Sequence, residues 1–136
     1  MANQALLIGS PRLKTSKSLP GSAHDVEAVQ KILADYGFHC ETLVAAEATR
    51  ERILAGLDTL LTHAHSGDAV VLFYSGHGGR VMNLGAGLAE PIPGYCAKHH
   101  QFLVPEDYDT ESDEFNGVLD VELAVWTARL SARTTN

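Results

Sequence analysis

Two rhythms of apolar residues alternate along this chain. Short unbroken apolar runs mark strands covered on both faces. Between them lie stretches in which apolar residues recur every three or four positions, as on one side of a helix. Ala5-Leu6-Leu7-Ile8 is the first run, closed by Gly9. Residues 11–20 are polar, carry Arg12, Lys14 and Lys17, and read as a loop. A helix is predicted to open at Ser22, with Asp25 three positions on completing a capping-box-like pair. It runs through Val26, Val29, Leu33 and Tyr36 and stops at Gly37. Residues 38–44 alternate well enough for a second strand. Thr49 caps a second helix with Ile53, Leu54, Leu57, Leu60, Leu61 and Ala64 along one stripe. Gly67-Asp68 then turns the chain into Ala69-Val70-Val71-Leu72-Phe73-Tyr74, the longest apolar run, which is expected at the centre of the sheet.

Residues 78–100 have no clear period, include Gly85, Gly87, Pro91, Pro93 and Gly94, and are too many for a simple connector. A fourth strand is predicted over 101–104, stopped by Pro105, and a third helix from Asp120 with Leu119, Leu123, Trp126 and Leu130 on one face. Residues 131–136 read as a polar loop. The order strand, helix, strand, helix, strand, loop, strand, helix predicts an α/β fold with a mostly parallel sheet flanked by helices. No internal repeat or second domain is visible, so residues 1–136 form one domain. A doubly wound sheet would follow the third helix with another buried strand, so this domain is expected to be incomplete at its C-terminus.

Composition narrows the function. With 45% hydrophobic and 20% charged residues in 136, the chain is an ordinary globular one. A net charge of −7 disfavours nucleic acid, which is held by clustered Lys and Arg. The N-terminus has no signal-peptide pattern and no apolar run approaches a membrane span, so a cytoplasmic protein with no membrane partner is expected. Cys40 and Cys96 form neither a disulfide framework nor a Cys-x-x-Cys metal motif.

In open α/β sheets the functional residues gather beyond the carboxyl ends of the strands. The third strand delivers Tyr74-Ser75-Gly76-His77-Gly78-Gly79 to that edge. Glycines around a histidine allow close backbone approach, and imidazole as a class suits proton transfer near neutrality. A solvated histidine beside a Gly-rich turn is the plainer reading, and spacing alone does not decide between them. Ser75 does not sit in a Gly-x-Ser-x-Gly elbow, which disfavours a serine hydrolase.

Phe73-Tyr74-Ser75-Gly76-His77-Gly78 resembles the Tyr-Ser-Gly-His-Gly motif of the caspase-like cysteine peptidases of clan CD, family C14, of the metacaspase and orthocaspase type. Residues 5–9 are similar to their first strand, and Leu19-Pro20-Gly21-Ser22-Ala23-His24-Asp25 to their Leu-x-Gly-Cys-x-Asn-Asp segment. Ala48-Thr49-Arg50 with Ile53 resembles the start of their second helix. Leu103-Val104-Pro105-Glu106-Asp107 resembles their Pro-x-Asp strand end, and Val118-Leu119-Asp120-Val121-Glu122-Leu123 the helix after it. These pieces occur in family order over nearly the whole chain. The resemblance implies a three-layer caspase-haemoglobinase-like fold, seen as its p20-type portion and cut before the cysteine-bearing strand.

The resemblance also implies a role for each matching residue. His77 would be the histidine of a Cys–His dyad and the Gly78 N–H an oxyanion donor. Asp25 and Ser75, with Ser22 in place of the family's cysteine, would line an acidic pocket for Arg or Lys at P1. Leu19 stands where true caspases carry the arginine that receives Asp. The plainer role for Asp25 is a helix cap, and the two roles can coexist. By the family's spacing the nucleophile would lie just past Asn136, and on this reading neither Cys40, a small buried strand residue, nor Cys96, in the irregular loop, would substitute. Either the chain is a truncation, or it is a processing product that stays with a cysteine-bearing second chain. By itself it is expected to cleave nothing.

No cofactor is expected. Calcium, which many metacaspases use, has little support: Asp120 matches, but His100 and Val121 stand where aspartates would be. A transition-metal set from Cys96, His99 and His100 is weaker still, and Asp107 and Asp109 read as structural. The alternative from another class is a non-catalytic pseudo-peptidase that binds peptides or regulates an active relative. A signalling receiver is disfavoured, since no acidic cluster follows the first strand.

Overall fold

Ala5 to Ser10 have no polar side chain but the last, and they fold into the most enclosed element of the molecule. A computed structural model describes residues 2–12, 14–82 and 99–135. In it β1 (Asn3–Ser10) runs parallel to β2 (Phe38–Val44) on one side and β3 (Ala69–Gly76) on the other, in the order β2-β1-β3. The register sets Leu6 beside Glu41 and Leu72, and Ile8 beside Leu43 and Tyr74.

Alternation along β1 sends its side chains to two cores. Leu6 and Ile8 pack with Ile53, Leu57 and Leu60 of α2 (Arg50–His63), backed by Leu123 and Trp126 of α3 (Asp120–Thr134). Ala5 and Leu7 pack on the other face with Val26, Val29 and Leu33 of α1 (Gly21–Asp35). The result is three layers: α1, the parallel sheet, and α2 with α3. Thr49 caps α2 as expected, its hydroxyl accepting the Arg52 N–H at 3.3 Å.

A second, antiparallel sheet sits beyond the carboxyl end of β3. It joins β4 (Gly78–Met82), β5 (His99–Leu103) and β6 (Val118–Leu119) in that order. Its packing centre is Phe102, edge-on to Phe115 at 5.0 Å and tilted against Tyr108 at 5.3 Å. A Cβ on Gly79 would lie 2.2 Å from the Phe102 ring, so glycine there makes room for the aromatic cluster.

Five expectations are corrected. The run 69–74 is not central among the described residues: β1 is, and β3 has one strand neighbour and half-exposed side chains. Apolarity along β3 reflects cover from helices on its faces, which says nothing about partners at its edges. The fourth strand does not extend the parallel sheet but pairs antiparallel with β4, a strand hidden in the irregular run from 78. Ser22 does not cap α1, which starts at Gly21 with no side-chain cap; Ser22 is buried and Asp25 bonds elsewhere. Residues 131–134 continue α3 instead of forming a loop, because Thr134 returns its hydroxyl to the Leu130 carbonyl and Arg133 reaches the Thr62 carbonyl. Tyr36, expected on the buried face of α1, is 73% exposed at its end.

Candidate active site

The apolar run of β3 ends in Tyr74-Ser75-Gly76, and His77 is the one residue between β3 and β4. It therefore lies at the carboxyl edge of the parallel sheet, where the reversal into the antiparallel sheet begins. Two donors meet its carbonyl oxygen: the Tyr74 hydroxyl at 2.7 Å and the Val104 N–H at 3.0 Å. A Cβ on Gly76 would come within 2.5 Å of that hydroxyl, so the glycine before the histidine lets the phenol reach across the turn. Desolvation by burial pushes the Tyr74 phenol up to about 12.

The His77 ring is oriented from another loop, through a hydrogen bond between Nε2 and the Lys17 carbonyl. A carbonyl oxygen only accepts, so Nε2 carries the proton and Nδ1 keeps its lone pair in the neutral ring. The ring is half-buried. Gly78 opens β4 opposite Leu103. Because the Val104 N–H goes to the His77 carbonyl, Gly78 and Leu103 form a non-hydrogen-bonded pair of the ladder. The Gly78 N–H is thus not spent on β5. A Cβ on Gly78 would meet only the Phe102 carbonyl, at 3.6 Å, so packing does not demand glycine here.

Asp25 and Ser75 are brought together across the sheet edge, the Ser75 hydroxyl donating to Asp25 Oδ2 at 2.6 Å. Asp25 is exposed, so its charge remains available to a cation from solvent. Ser22 lies one helical turn before Asp25 but is only 2% exposed, and it belongs to the seam between α1 and β1 more than to the surface.

The other candidates lie elsewhere. Cys40 sits in β2, partly buried against the α1-side core, and burial pushes its thiol upward, the wrong direction for a nucleophile. Cys96 falls outside the described residues. His100 is 4% exposed, and its Nδ1 meets Asp120 Oδ1 at 3.0 Å. Asp120 also accepts the N–H groups of Gln101 and Val121, at 3.0 and 2.8 Å. One carboxylate already engaged this way, beside an imidazole, does not fit a calcium site of hard oxygen ligands. Among the described residues no group of three or more His, Cys, Asp or Glu is disposed to hold a metal. Asp107 is structural, bonding the Arg50 N–H at 2.9 Å and Asn116 Nδ2 at 2.8 Å.

A cleft of 520 Å³ begins at Gly78 and Gly79 and continues past Leu103 and Val118 to Leu123. A second hollow of 490 Å³ lies between Arg12, Ala46 and Tyr108 and does not include His77. Sequence reasoning missed two groups, the Lys17 carbonyl and the Tyr74 hydroxyl. A backbone carbonyl leaves no trace in residue identity. Tyr74 ended an apolar run, and its hydroxyl there was the available signal. Among the described residues no helix is long and apolar enough to cross a membrane.

A family model described as the caspase domain of peptidase C14 matches residues 2–119. Metacaspase-8 of Arabidopsis thaliana is 38% identical over 90 residues, 60% of this chain and 24% of that protein. Metacaspase-1 of Mycosarcoma maydis is 29% identical over 129 residues, 85% of this chain and 30% of that protein. The chain thus spans less than a third of the length of these relatives. A Geobacter sulfurreducens protein of known crystal structure superposes with a TM-score of 0.73 at 21% identity, over 95% of this chain and 46% of that one, a likeness of fold.

Proposed function

We propose, from the premise that this chain belongs to the caspase-domain family of C14 peptidases, that it supplies the histidine of a Cys–His dyad in a cysteine endopeptidase cutting after Arg or Lys. The carrying observation is the place of His77: at the carboxyl edge of β3, with Nε2–H donated to the Lys17 carbonyl. That bond leaves Nδ1 as the atom that exchanges protons with the nucleophile and the leaving group. The family resemblance would put the thiolate on a cysteine outside residues 1–136, on a continuation of the chain or on a second chain; Cys40, partly buried against the α1-side core with its thiol pushed upward, does not suit the role.

In the reaction, His77 Nδ1 takes the proton of the cysteine thiol, the resulting thiolate sulfur bonds to the scissile carbonyl carbon and the carbonyl electron pair moves onto oxygen. The Gly78 N–H, unspent on β5, would donate to that oxygen. As the tetrahedral species collapses, the C–N bond breaks and the departing amine takes the proton from Nδ1. His77 Nδ1 then draws a proton from water, whose oxygen attacks the thioester and expels the thiolate. Asp25, exposed and held by Ser75, is the group that would receive the P1 cation. A carboxylate in that position rejects an acidic P1 by repulsion. Compartment and natural substrates enter neither step.

The test is hydrolysis of Arg-, Lys- and Asp-P1 peptides by the full-length protein and by His77→Ala. Removing a general acid–base residue should lower kcat/KM by about 10²- to 10⁴-fold. Undiminished turnover by His77→Ala would exclude the dyad role. A full-length protein that binds these peptides and cuts none would establish the pseudo-peptidase instead.

A further inference from the structure

We infer that Tyr74 is a positioning residue for His77, its hydroxyl pinning the backbone of the turn that carries the imidazole; this rests on His77 being the proton-transferring group. The Tyr74 hydroxyl donates its one proton to the His77 carbonyl at 2.7 Å, with the Val104 carbonyl a second acceptor at 3.0 Å, so the phenol sits between the turn after β3 and the segment after β5. The same two residues are joined directly, Val104 N–H to His77 carbonyl, at 3.0 Å. Both lone pairs of the His77 carbonyl are thus engaged, one by each neighbour.

The anchor at the far end is itself tied down. The buried Ser10 hydroxyl lies 2.9 Å from the Val104 carbonyl and 3.2 Å from Glu106 Oε2, which also accepts the Arg12 N–H at 2.9 Å. Arg12 in turn reaches the carbonyls of Pro105, Glu106 and Tyr108 with one guanidinium nitrogen. The histidine turn is therefore fastened, through Tyr74 and Val104, to the end of the central strand.

A ring alone would fill this space, since phenylalanine has the same shape. What tyrosine adds is the hydroxyl. Without it the His77 carbonyl keeps Val104 N–H and the Val104 carbonyl keeps Ser10, so neither acceptor is orphaned. Tyr74→Phe should therefore fold nearly as well as the wild type, while the His77 turn loses one of its two restraints. A small displacement at a reacting centre costs rate far more than stability.

The experiment measures kcat, KM and thermal unfolding of the full-length protein as wild type, Tyr74→Phe and His77→Ala. The expected result is about a tenfold fall in kcat for Tyr74→Phe with KM unchanged and unfolding little altered. Unchanged kcat in Tyr74→Phe beside an inactive His77→Ala overturns the positioning role and leaves the dyad standing. Full turnover by His77→Ala removes the premise of both. Should Tyr74→Phe not fold, a fluorinated tyrosine placed at position 74 keeps the ring and lowers the phenol pKa. Its kcat should then decline as pH rises through that lowered pKa, where the donor is lost. A profile as flat as the wild type's would overturn the role.

Discussion

Among single residues, Asp25 and Ser75 make the sharpest statement about specificity. They lie 50 positions apart and meet at 2.6 Å on an open edge, a charge-assisted bond that fixes the carboxylate without covering it. A hydrogen bond to a charged group contributes about 1.5–3 kcal/mol. Asp25→Asn should therefore lower kcat/KM for an Arg-P1 peptide by about ten- to a hundredfold. The same peptide with citrulline, the uncharged isostere, should lose much less. Equal losses on both would argue that Asp25 is only structural. The sequence pointed to Asp25 and Ser75 by motif, and its first account of Asp25, a capping pair with Ser22, gave way because Ser22 turned inward. Three residues of helix spacing cannot say which member faces the sheet.

At the scale of elements, the short antiparallel sheet is what the apolar pattern least disclosed. β4 is two glycines followed by Arg80-Val81-Met82, too short and too mixed for a period to emerge. Its place is set by Phe102, whose ring occupies the space a side chain at 79 would fill. Gly79→Ala should consequently push the ring out of its cluster with Tyr108 and Phe115, at a cost of about 1–3 kcal/mol. Urea unfolding with an unchanged midpoint would show that the ring has slack. The longer elements were more legible. The stripe of α2 maps onto Ile53, Leu57, Leu60 and Ala64 in the core, with Leu54 and Leu61 at its margin.

For the whole molecule, the packing of α2 on α3 is closed by Arg50. Its guanidinium reaches both Glu122 oxygens, at 2.9 and 2.6 Å, and the Gly117 carbonyl at 2.6 Å. Burial works against the Glu122 charge, but the Arg50 and Leu119 hydrogen bonds outweigh it and hold the carboxyl below its ordinary range. A lowered folded-state pKa gives stability that is present above the ordinary carboxylate pKa and is lost as pH falls through the lowered one. The difference in unfolding free energy between wild type and Glu122→Gln should be about 1–2 kcal/mol at neutral pH. It should shrink as acid protonates Glu122 in the folded state. A difference that stays constant from neutral to acid pH would place the effect in packing and not in charge.

Taken by itself, the order of apolar runs and helical stripes determined the α/β class, the layering and the arrival of His77 at the sheet's carboxyl edge. Those follow from local periodicity, because burial of a face repeats every second or every three to four residues. Tertiary structure decided which strand is central, where β5 pairs, what holds the His77 ring and what restrains its backbone. Each of these depends on a partner distant in sequence: β1 for β3, β4 for β5, the Lys17 carbonyl for the ring, Val104 for the turn. Hydrogen bonds to main-chain atoms form wherever the backbone passes, and they leave no mark on residue type at the accepting end.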